Sequence, residues 1–146
     1  MHHSQLRRRF EDLGLEGLDF RLKEPATREA ISAAETRLGV VFSEQMQMLY
    51  SVFDGLEVCD PPFSICSIQN LSIENSSLTF CICDHIHRLA FDTSRVNDAG
   101  QWFIVNPDTG FRVTYTLASF WSVHMWKWIE RRTPIWRGIH DEPAST

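Results

Sequence analysis

The chain has 146 residues, 43% of them apolar and 12% aromatic, with a formal net charge of −5 and a pI near 5.6. That suits one folded domain with its own core and excludes a disordered chain. The mild acidity weighs against nucleic acid as a partner, and no apolar run is long enough for a membrane span.

Residues 1–146 read as a single domain with frayed ends at 1–4 and 141–146. A first helix begins near Gln5, where Leu6, Phe10 and Leu13 form an apolar stripe beside Arg7, Arg8 and Arg9. The arginines read better as a solvated flank than as a phosphate contact. Gly14 and Gly17 interrupt the pattern, so residues 14–24 read as a second short piece or a loop. Next, Ala30, Ile31, Ala34 and Leu38 recur at helical spacing. Pro25 suits the edge of that helix, Thr27 its cap, and Gly39 its left-handed end. Ser43 then caps a third helix, with Glu44 at the positive end of its dipole. Met46, Leu49, Tyr50 and Phe53 make its stripe, and Asp54-Gly55 stops it. Both helices are too short to stand alone, so both must pack on something.

After Gly55 the texture changes. Cys59-Asp60-Pro61-Pro62 reads as a turn or extended linker. Strands are expected over residues 63–68, 78–83, 88–92, 101–105 and 111–117, with a brief strand or turn at 71–73. Asn75-Ser76-Ser77, residues 97–100 and residues 106–110 read as turns. Short connections favour antiparallel pairing. Ser119 is expected to cap a last helix ending near Arg132, with Trp121, Met125, Trp128 and Ile129 on one broad face. Trp126 and Val123 lie outside that face, so this helix is either buried on several sides or carries a docking surface. Ile135-Trp136 reads as folding back on the core. The fold class is α+β: helices packed on a mainly antiparallel sheet of four to six strands, with a C-terminal Trp-rich helix.

Several of these residues form a recognisable pattern. Ile31, Glu35, Leu38 and Gly39, then Leu49, Tyr50, Asp54 and Gly55, then Ser119 and Phe120, resemble the SMI1/KNR4 family, also called the SUKH superfamily. The family's Leu-Pro step stands here as Phe42-Ser43, a mild departure because Ser caps the helix that Pro would start. The resemblance covers about residues 20–131, and its motifs mark structure and not chemistry. It implies the same α+β arrangement and a non-enzymatic protein-binding module. Many bacterial members look like immunity proteins that neutralise a cognate polymorphic toxin, often a nuclease, by a stoichiometric complex. Eukaryotic members look like signalling or regulatory scaffolds, the alternative reading.

The chemistry-bearing residues were weighed beside this. Cys81, Cys83, His85 and His87 would share one side of an unbroken strand, and two thiolates with two imidazoles are a zinc set. Such a row spaces its members about 7 Å apart, too spread for one tetrahedral ion. The favoured reading is buried cysteines followed by a turn at Asp84-His85, and a small metal-dependent enzyme stays as a second alternative. No nucleophile elbow, papain-like signature or phosphate-cradling glycine loop is present. No catalytic residue and no cofactor is expected. Asp54, Glu57, Asp60 and Asp98, with Asp84, Asp92 and Asp108, lie in or beside loops. Clustered, they would speed association with a basic protein, although loop aspartates more often cap turns. Asp54, Glu57, Asp60, Asp98 and Trp126 are the candidate partner contacts, Trp because it is enriched at binding hot spots. The N-terminus MHHSQLRRRF lacks the apolar heart of a signal peptide, so the four cysteines read as reduced thiols in a cytoplasm. A homo-oligomer is left open.

Overall fold

The computed structural model describes residues 3–138. The expected fraying of residues 1–2 and 141–146 therefore falls outside the described residues, while residues 3–4 already belong to a helix. In chain order the elements are α1 (His3–Leu15), β1 (Phe20–Leu22), α2 (Arg28–Leu38), α3 (Glu44–Val52), β2 (Leu56–Val58) and β3 (Phe63–Ile65). A 3₁₀ turn (Ile68–Asn70), β4 (Ser72–Glu74), β5 (Ser77–Cys83), β6 (His87–Asp92), β7 (Ile104–Val105) and β8 (Arg112–Thr114) follow. The chain ends in α4 (Leu117–Ser119), a π turn (Phe120–His124) and α5 (Met125–Arg131), which run on as one helical rod. The class is α+β, as the sequence indicates.

The sheet is antiparallel throughout and has eight strands in the order β1-β2-β3-β5-β6-β7-β8, with β4 also paired to β5. That exceeds the expected four to six. The additions are β1 and β2, three residues each, too short for alternation to register. Residues 14–24 are thus neither a second helix nor only a loop: Phe20 and Leu22 pair with Val58 and Leu56. The strands expected over 63–68 and 111–117 contract to three residues each, because a 3₁₀ turn and the last helix claim their ends.

Side-chain caps explain where the helices start and stop. The Thr27 hydroxyl accepts from the Ala30 amide at 3.0 Å, and Gly39 takes a left-handed φ of 71°. The Ser43 hydroxyl accepts from the Met46 amide at 3.2 Å. Ser119 is not the cap of the last helix. Thr116 is, accepting from the Ser119 amide at 3.1 Å, while Gln101 and Gln45 accept from the amides of Leu117 and Ala118. Three side chains thereby satisfy three of the amides that a helix start leaves open.

The resemblance residues are scaffold. Glu35 turns its carboxylate to the Phe42 amide at 2.7 Å, fixing the link between α2 and α3. Buried Tyr50 donates its hydroxyl to the Cys66 carbonyl at 2.8 Å. Asp54 accepts from the Ile68 amide at 2.7 Å, and the Ser67 hydroxyl donates to the Asp54 carbonyl. Gly55 has φ 106° beside Ser67, a conformation and a space that suit no side chain. Ile31, Leu49 and Phe120 are buried, and Leu38 packs against the core from its margin.

One face of the sheet makes the core. Leu56, Val58, Phe63, Ile65, Leu78, Cys83, Leu89, Phe91 and Ile104 are buried on it. In β5 the register slips between Thr79 and Cys81, so Phe80 and Cys81 both enter the core. Phe80 stacks on Phe91 with ring centres 4.3 Å apart and meets Phe120 of the last helix edge-on at 5.4 Å. Trp121, Met125, Trp128 and Ile129 are buried, as their spacing implies. Trp126 is buried too, at 4% exposure. The π turn inserts one residue and swings the downstream helix by about 100°, which brings into the core a side chain that regular periodicity would leave outside. Ile135 and Trp136 fold back on the core, where Trp136 stacks on His87 at 4.2 Å.

Candidate functional site

The other face of the sheet is where the chain presents unused side chains. Strand register aligns Arg21 of β1, Glu57 of β2, Ser64 of β3, Ile82 of β5 and Arg88 of β6 in one transverse rank. All five are exposed or half-exposed. With strands about 4.8 Å apart, the rank spans about 19 Å. A second rank runs through Thr79, the buried Ala90, Val105 and Arg112.

Two shallow hollows open along this face. One, of about 470 Å³, is lined by Glu57, Cys59, Pro62, Ser64, Ile82 and His85 among others. The exposed Ile86 follows His85 at the tip of the β5–β6 turn. The other, of about 300 Å³, is lined by Glu74, Thr79, Arg88, Pro107 and Asp108 among others. Arg88 and Asp108 form an ion pair there at 2.5 Å. The pairing holds the Asp108 carboxyl below its usual range and raises Arg88. Both partners are solvent-exposed, so the bond adds little stability.

The candidate contacts are not brought together. The Asp54 carboxylate accepts from the Ile68 amide and so caps the turn after β3. Glu57 lies second in the outward rank, between Arg21 and Ser64. Asp60, exposed, pairs with Arg132 at 2.6 Å, and its turn touches the β5–β6 turn where the Asp84 amide donates to the Pro62 carbonyl. Asp98 sits in the β6–β7 connection at the opposite end of β6, beside Asn97 and Ala99. The aspartates therefore form no single cluster. Asp92 accepts from Ser94, the turn-capping role expected of most of them. Trp126 is buried: its ring is covered by Arg9 at 4.5 Å and packs on Phe10 at 4.8 Å.

The Cys/His row also breaks. Asp84 and His85 take positive φ of 51° and 67°, so the strand turns back before His85. His87 returns on β6 opposite Cys83. Cys81 and Cys83 are buried, and His85 is exposed. Among the described residues no group of three or more His, Cys, Asp or Glu is placed to hold a metal. Burial and the neighbouring Cys83 push the Cys81 thiol up, and burial pushes up Cys66. Asp19, accepting a hydrogen bond from the exposed Cys59, raises that thiol too. Raised thiols are protonated at neutral pH and are poor nucleophiles.

These shifts make stability depend on pH on both sides. Burial raises Cys81 and Tyr50 above 9.0 and 10.0, so their contribution is whole below pH 9 and is lost as pH rises through the shifted values. Burial lowers His87 and His124 below 6.5, so their contribution is whole above that pH and is lost as pH falls through the lowered values. The urea midpoint is expected to be flat between about pH 6.5 and 9 and to fall on either side. Cys81→Ala should weaken the alkaline limb and leave the acid limb alone. An alkaline limb unchanged in that variant would remove Cys81 from the account.

Sequence reasoning missed Ser64, Ile82, Arg88 and Arg21 as one surface. The period-two signal of β5 held the clue for Ile82, but the bulge at Phe80 obscures which parity faces outward. No helix among the described residues is long and apolar enough to cross a membrane. Compared with known proteins, the chain matches no family model and no curated protein.

Proposed function

We propose that this is a non-enzymatic binding domain of the immunity type, working in the cytoplasm by occupying a cognate toxin domain, such as a nuclease, in a stoichiometric complex. The observation that carries the reading is the outward rank Arg21-Glu57-Ser64-Ile82-Arg88, in which the apolar Ile82 stands on the central strand of the sheet between Ser64 and Arg88, with charged residues at both ends of the rank. That is the layout of a protein-recognition patch, an apolar centre ringed by polar groups. The end of the face near Glu57 and Cys59 is also acidic, through Asp19, Asp60 and Asp84, and suits a partner with a basic surface. The resemblance supports the same reading, since its residues build the scaffold and leave this face free to vary.

The test is co-expression with the toxin-like product of a neighbouring gene. Growth rescue and a one-to-one complex on size exclusion are expected. Ile82→Glu should weaken that complex roughly a hundredfold, as the loss of a central apolar anchor does. Val41→Glu, at an 81% exposed position in the α2–α3 link, should leave it intact. Charge reversal at Asp98 should change the association rate only a few-fold. Rescue without a direct complex, or an Ile82→Glu protein with full affinity, would overturn the proposal.

A further inference from the structure

A second, unrelated site lies on the helical side. Arg9 of α1 reaches both oxygens of Glu130 on α5 at 2.7 and 2.8 Å while its guanidinium lies over the Trp126 ring. Around this contact is a depression of about 190 Å³ lined by Arg9, Ser122, Trp126, Lys127, Glu130 and Arg131, with Val123 at its side. Three cations and one carboxylate share it. Glu130 is committed to Arg9, and neither Lys127 nor Arg131 makes an ion pair among the described residues. These two stand four residues apart on one helix, where like charges repel.

The indole Nε1 of Trp126 is buried and meets no acceptor among the described residues. Trp128, two residues on in sequence, shows the usual solution: its Nε1 donates to the Pro62 carbonyl at 2.9 Å. An orphaned buried donor is rare in folded proteins. The π turn over Phe120–His124 is the local irregularity that places Ser122 and Trp126 here, and such turns recur at binding sites. The Ser122 hydroxyl donates to the Ala118 carbonyl, and its oxygen accepts nothing from the indole.

We propose that this depression binds a carboxylate, held by the charges of Lys127 and Arg131 and by a hydrogen bond from the Trp126 indole N–H. Binding needs a local side-chain shift, because the indole N–H is buried in this structure. The volume suits one acidic head group and falls short of the roughly 300–1,000 Å³ of a drug-sized pocket. Free carboxylates and acidic side chains of a protein segment share this chemistry.

Indole ¹⁵N NMR tests it, with the Trp126 signal assigned from Trp126→Phe. Sodium acetate, glutamate and a blocked peptide carrying two glutamates are titrated against sodium chloride at matched ionic strength. A saturable shift confined to the Trp126 indole is expected with carboxylates and not with chloride. The double variant Lys127→Ala/Arg131→Ala should weaken it roughly tenfold. Tighter binding of the peptide than of acetate and glutamate assigns the site to a protein segment, and equal binding assigns it to a small molecule. No saturable shift, an equal response to chloride, or full affinity in the double variant overturns the proposal. Retention of the other four indole signals certifies the fold in each variant.

Discussion

Phe10→Ala is expected to destabilise the protein by about 3–5 kcal/mol. The side chain is fully buried, and its ring meets three others: Phe20 at 5.6 Å, Phe53 at 6.5 Å and Trp126 at 4.8 Å. Those rings belong to β1, the end of α3 and α5. Phe10 therefore joins the edge of the sheet to the helical layer. Truncation removes the apolar transfer energy and leaves a cavity that three rigid rings cannot collapse into. The melting temperature should fall by about 10 °C or more, and Phe10→Leu should cost less than half as much. Chemical denaturation measures both. A cost under about 1 kcal/mol would mean that α1 does not dock as described.

The second large effect is expected at Gly55→Ala. The glycine has φ 106°, and an added Cβ would lie 3.0 Å from the Ser67 hydroxyl and 3.1 Å from the Ile65 carbonyl. Backbone strain of about 1–3 kcal/mol adds to crowding of similar size. The damage falls where Asp54 and Ser67 lock α3 to the turn after β3, so the Asp54–Ile68 bond should loosen with it. Gly100→Ala separates the two causes. Gly100 also has a positive φ, 74°, but nothing lies within 4 Å of its added Cβ. It should cost about 1 kcal/mol, the strain alone. Equal costs at the two positions would show that space around Gly55 is not the issue.

What could be read from the chain follows the range of each interaction. Thr27, Gly39 and Ser43 were legible because a cap is a bond between near neighbours in sequence. The turn at Asp84-His85 and the burial of Cys81 and Cys83 were legible for the same local reason. β1 and β2 were not, because three-residue strands exist only through their partners. Ser119 lost the capping role to Thr116, since Ser119 supplies the amide that is capped. Trp126 was misplaced because a π turn changes the phase of everything after it, and nothing in FWSVH announces one. The aspartates do lie in or beside loops, but Glu57 falls at the centre of β2, and which loops share an end of the sheet depends on strand order. The outward rank was invisible for that reason: it exists only once register is known.

That rank has a practical corollary. Arg21, Glu57, Ser64, Ile82 and Arg88 come from five separate strands, so no continuous fragment of this chain displays them together. Overlapping synthetic peptides would read blank across all five, and an antibody raised against the assembled patch should go silent on a denaturing blot. Recognition there vanishes in step with cooperative melting, which makes it a direct reporter of the native state.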